Sequence, residues 1–71
     1  MAKAEFSSSL LVAAEYGYAT EVLTCELIDG SKYRYYAVPS TIWRALKKSN
    51  SAGRYAAVNI MRGQYRRRKL A

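Results

Sequence analysis

Apolar and polar residues alternate most cleanly between Glu21 and Ile28, where Leu23, Cys25 and Leu27 are separated by Thr24 and Glu26. A period of two is the mark of a half-buried β-strand. Asp29-Gly30 follows, two residues that tolerate positive φ, and Lys32 to Val38 then returns as a second, aromatic-rich segment. This pattern predicts an antiparallel hairpin over 21–28 and 32–38. Upstream, Leu10 to Tyr18 reads as a further strand, although its alanines also suit a helix. Met1 to Glu5 reads as a loose lead-in, and Ser7-Ser8-Ser9 as a polar loop or the start of a strand.

After the hairpin the period changes. Pro39 has no N–H for a sheet ladder, so it ends the strand and suits the first turn of a helix, with Ser40 or Thr41 as its cap. Ile42, Ala45 and Leu46 recur at helical spacing as a buried stripe with Trp43 at its edge. Arg44, Lys47 and Lys48 fall on the outward side, and bases in the last turn suit the helix dipole. Ser49 to Gly53 is a polar break with Ser51 as a cap, Tyr55 to Met61 a second, shorter helix, and Gly63 its stop. Tyr65 to Leu70 is a final strand or an extended tail. The expected fold is α+β, a small antiparallel sheet with a central hairpin and two short helices packed on one face.

The hairpin register decides where its tyrosines point. A two-residue turn at Asp29-Gly30 pairs Glu26 with Tyr33 and Thr24 with Tyr35, which sets both rings on the polar face. A three-residue loop shifts the register by one and places them beside Cys25 and Leu23 or Leu27 in the core. Tyr33, Tyr35 and Ala37 are together more apolar than Lys32, Arg34, Tyr36 and Val38, which favours burying the first set.

Composition narrows the chemistry. Seventy-one residues hold one domain with a small core. Cys25 is the only cysteine and there is no histidine, which excludes the usual zinc sites and Ser-His or Cys-His catalytic pairs. An unpaired thiol fits a reducing compartment, and the longest apolar run, Leu10 to Ala14, is far shorter than the roughly 20 residues of a membrane span. With no signal-peptide pattern either, a cytoplasmic, non-enzymatic protein without cofactor or metal is expected.

Charge adds the most. The net value is +7, and its distribution is uneven: all five acids lie in residues 1–30 with one base, and residues 31–71 carry eleven bases and no acid. A half of one sign, folded to one face, attracts anions. The solvated basic face without a ligand is the competing explanation.

The run Asp29-Gly30-Ser31-Lys32-Tyr33-Arg34-Tyr35-Tyr36-Ala37-Val38-Pro39 resembles the centre of the KTSC domain. Ser49-Asn50-Ser51-Ala52-Gly53-Arg54-Tyr55 with Asn59-Ile60 resembles its second block, and Ser8 and Ser9 its opening serines. The resemblance covers roughly residues 6–68 and departs at Ala56, Ala57 and Lys32. It implies a short module found alone in bacterial and phage proteins and at the C-terminus of some lysyl-tRNA synthetases, an attachment that suggests RNA binding.

The residues offer a parallel case. Tyr33-Arg34-Tyr35 forms a stacking and phosphate-pairing platform if the rings are exposed, with Lys32 beside it. Arg66-Arg67-Arg68-Lys69 is a phosphate-contacting run or a solubilising, disordered terminus. Arg44, Lys47 and Arg62 extend the basic face, and Arg54 after Gly53 opens a helix N-terminus suited to an anion. The expected partner is nucleic acid, RNA before duplex DNA because aromatics accompany the bases. Two alternatives stand beside it: a nucleotide-sequestering or sensing protein, phage-encoded and working as a homo-oligomer, and an adaptor docking on an acidic protein.

Overall fold

The computed structural model describes residues 2–71. In chain order the elements are β1 (Ala2–Glu5), β2 (Leu11–Gly17), β3 (Val22–Leu27), β4 (Lys32–Tyr35), α1 (Ser40–Lys48), α2 (Ala52–Asn59) and β5 (Arg67–Lys69). The strands form one antiparallel sheet in the order β1-β2-β3-β4-β5. The expected α+β architecture is observed. The lead-in is a strand: Ala2 to Glu5 pairs with Tyr16 to Ala13, and its alternation of alanine with Lys3 and Glu5 is a short two-faced pattern.

The three-residue register is the one adopted. Leu27 N–H donates to Ser31 O at 2.8 Å, which leaves Ile28, Asp29 and Gly30 as the loop. Gly30 takes φ +90°, and the Ser31 amide donates to Asp29 Oδ1 at 2.9 Å. Leu23 therefore faces Tyr35 and Cys25 faces Tyr33. Cross-strand partners share a face, so Tyr16, Leu23 and Tyr35 lie in one inner row and Ala14, Cys25 and Tyr33 in the next. Tyr35 is buried and Tyr33 half-buried. A bulge between Leu11 and Ala13 turns Leu11 into the same core.

The return strand is shorter than its pattern. It ends at Tyr35, and Ala37, expected inward, is exposed at φ +56° because the chain turns there towards α1. Pro39 is the N-cap of α1, and neither Ser40 nor Thr41 makes a capping bond. Trp43 is the centre of the helix contact rather than its edge: it is fully buried with Leu46, and its ring stacks on Tyr16 at 5.6 Å with planes 14° apart. The Tyr16 hydroxyl donates to Val38 O, tying the turn to the sheet. The second helix starts three residues before Tyr55, with Ser51 at the N-cap position but without a side-chain bond, and ends at Asn59 before the Gly63 turn.

Gly53 explains the early start. A Cβ there would collide with Ser8 Oγ and approach Leu10 Cβ to 3.2 Å, so the helix lies directly against the serine loop. Ser8 Oγ accepts the amides of Leu10 and Leu11 at 3.1 and 3.2 Å, which holds the loop in place. Gly53→Ala is expected to cost about 1–3 kcal/mol through overpacking. Urea unfolding of Gly53→Ala, Ser8→Ala and the double variant checks this, because the double variant should lose less than the two singles added.

Candidate polyanion-binding edge

The basic tail is a strand. Tyr36 N–H donates to Arg66 O at 2.9 Å, Leu70 N–H to Lys32 O at 2.7 Å, and Lys32 N–H to Ala71 O at 3.1 Å. These bonds fix β5 as the sheet edge beside β4, with Tyr35 opposite Arg67, Arg34 opposite Arg68 and Tyr33 opposite Lys69. Residues along a strand alternate between faces. Arg34 and Arg68 therefore meet on the open face, away from the helices. Arg67 and Lys69 turn to the other face.

Each face of this edge pairs bases with rings. The Arg67 guanidinium stands 5.0 Å from the centre of the Tyr33 ring, a cation–π contact. It also lies near the Tyr35 hydroxyl, which is buried without a hydrogen-bond partner. Burial raises the pKa of that hydroxyl, and the nearby Arg67 opposes the shift. Tyr36, Arg66, Arg67 and Arg68 line an open depression. Tyr36 is half-buried and level with Arg66, so it is the tyrosine available for stacking, in place of Tyr35. Its alternation with Lys32 and Arg34 carried that information, once the tail is known to be a strand.

The remaining bases lie elsewhere. Lys32 is opposite Glu26, and the row containing Arg34 also contains Glu15 and Lys3, so acids and bases share the open sheet face. Arg44 and Lys47 are exposed on α1, in the helix layer, and Lys47 Nζ sits 5.1 Å from the Trp43 ring centre. Arg54 is exposed in the first turn of α2, lining a polar cleft with Ser7 to Ser9 and Asn50 to Gly53. Arg62 follows α2, its amide donating to Gln64 Oε1 at 2.9 Å. One face embracing all these groups is not what the fold builds. Six bases (Lys32, Arg34, Arg66, Arg67, Arg68 and Lys69) lie on the β4–β5 edge, and the other five of residues 31–71, Lys48 among them, lie on or beside the helices.

Other chemistry finds little footing among the described residues. Cys25 is fully buried, and burial pushes its thiol pKa up to about 12, so it remains protonated and non-nucleophilic at neutral pH. No group of three or more His, Cys, Asp or Glu side chains is placed to hold a metal ion. No helix is long and apolar enough to cross a membrane.

The fold and edge define a small α+β domain, a five-stranded antiparallel sheet with two helices inserted before the last strand. Residues 7–65 match the KTSC domain, and the chain belongs to that family. The fold is similar to the crystal structure of the KTSC domain protein YPO2434 from Yersinia pestis, with a TM-score of 0.88 and 21% sequence identity over 99% of this chain and 97% of that one. No curated protein matches this sequence.

Proposed function

We propose that the domain binds a polyanion through the β4–β5 edge, with RNA as the favoured partner. The observation that carries this reading is the cross-strand pair Arg34–Arg68. Like charges directly opposite on a sheet destabilise it, and a phosphate between them reverses the sign of the interaction. Arg66 and Tyr36 beside the pair supply a further charge and a ring on which a base can stack. The depression is open rather than enclosed, which suits a polymer strand better than a single nucleotide. The unpaired Cys25 fits a reducing, cytoplasmic setting.

The test is binding to an unstructured RNA at several salt concentrations. Replacing Arg34, Arg66 and Arg68 together by Gln removes three phosphate contacts, so the slope of log affinity against log salt should fall by about 2. The same variant should fold at least as stably as the parent, since it also removes the repulsive pair. Tyr36→Ala should weaken binding by about 1–3 kcal/mol with little change in slope. Unchanged RNA affinity in both folded variants would refute the reading; a ligand profile restricted to free nucleotides would favour the sequestering alternative.

A further inference from the structure

The two edges of the sheet differ in kind. On β5, self-pairing between two copies sets Arg67, Arg68 and Lys69 against one another, and that edge is protected by repulsion. On β1 the outward row is Lys3 and Glu5, one charge of each sign. Phe6 N–H donates to Val12 O at 2.8 Å in the register that pairs Ala4 with Ala14 and Ala2 with Tyr16. Antiparallel hydrogen bonding alternates along a strand, so Ala2, Ala4 and Phe6 spend their backbone groups on β2. Lys3 and Glu5 turn theirs to the free edge.

We infer that β1 is an interface for a second copy of this chain, the two strands pairing antiparallel about Ala4. In that register Lys3 faces the partner's Glu5, and Glu5 faces the partner's Lys3. Both side-chain pairs are then of opposite charge, and both carry the free backbone groups, so each pair closes two hydrogen bonds as well. On the inner face Ala4 meets its own copy, small against small. Half-buried Phe6 comes opposite the partner's Ala2, beside a hollow that Ala2 lines with Gly17, Tyr18 and Ala19.

The net charge of +7 does not prevent this contact. The three bases of β5 lie four strand spacings, or about 19 Å, from β1. That exceeds the screening length of about 8 Å at physiological salt. Pairing β1 with β5 of another copy satisfies fewer charges, because Glu5 would then meet bases but Lys3 would be set against them, whereas β1–β1 pairing gives both residues an opposite charge. It would also leave a free β1 at one end and a free β5 at the other, so further copies could add, whereas the β1–β1 contact uses both β1 edges and leaves only the mutually repulsive β5 edges.

Sedimentation equilibrium over a range of protein concentrations tests the proposal. The mass should rise from 8.0 kDa towards twice that value and no further. Lys3→Glu alone sets a second carboxylate against the partner's Glu5 and should leave the chain monomeric, and Glu5→Lys alone should do the same by the opposite charge. Mixing these two variants restores both opposite-charge pairs and should restore the dimer. The exchange variant carrying both substitutions should dimerise like the parent. A parent that stays monomeric at the highest concentration, growth beyond a dimer, or singles that dimerise as well as the parent would each overturn the assignment. Circular dichroism establishes that each variant is folded.

Discussion

Trp43→Ala should be the most damaging single substitution in the molecule, lowering stability by about 3–5 kcal/mol. Chains of 71 residues have roughly 4–11 kcal/mol to lose, so the substitution removes a large share of the total and, at the lower end of that range, leaves much of the population unfolded. The expectation rests on position as much as size. Trp43 is fully buried, stacks on Tyr16, and joins α1 to the sheet across a core with few other large side chains. Its Nε1 has no hydrogen-bond partner. Trp43→Phe keeps an aromatic surface against Tyr16 and removes that unpaired donor, so it should cost clearly less. Urea unfolding followed by circular dichroism measures both. A loss below about 1 kcal/mol for the alanine variant would mean that α1 is not anchored through this ring.

Tyr35 gives the second large effect, and here ring and hydroxyl act in opposite directions. Tyr35→Ala opens a cavity against Leu23 and should cost about 3–5 kcal/mol. Tyr35→Phe keeps the ring and deletes a buried hydroxyl that has no partner, so it should be neutral or stabilising. The same pair of variants reads out at high pH. Burial holds the Tyr35 hydroxyl above its ordinary value, and the Cys25 thiol at about 12. As pH climbs past their ordinary values the unfolded chain releases these protons first, so folding stability falls with rising pH. Burial raises the Tyr16 hydroxyl as well, so Tyr35→Phe removes one of three such groups and should flatten that alkaline decline in part. An equally steep decline would place its origin elsewhere.

Hairpin and helices were legible because each has a local cause. Leu23, Cys25 and Leu27 alternate, Gly30 permits the turn, and Ala45 and Leu46 keep helical spacing. What depends on distant partners was not legible. Ala2 to Glu5 is too short and too small to announce a strand until β2 is beside it. Gly53 looks like part of a loop, and only the approach of Ser8 shows it to be the close-packed start of α2. The site suffered in the same way. The arginine run was visible as charge, but its geometry follows from pairing with β4, which moves the usable ring from Tyr35 to Tyr36 and sets Arg34 against Arg68. The acid-free second half also misled as a guide to faces, since Glu15 and Glu26 reach the same sheet surface from neighbouring strands.

The place of β5 in the chain has a kinetic side. Strands β1 to β4 follow one another through short connections, whereas β5 finds β4 only after both helices have been laid down between them. Closing that long loop gives β5 the greatest sequence separation from its neighbour in the sheet. All three of its residues are exposed, so few buried contacts retain it once closed. Such a segment can detach and re-anneal while the rest of the sheet stays folded. Any anion lying across Arg34 and Arg68 bridges the last seam of the sheet, and its hold on the protein is also a hold on the chain's final strand. For an anion bound as proposed, affinity and local order at this edge would be one linked equilibrium, in which strand detachment weakens binding and binding slows detachment.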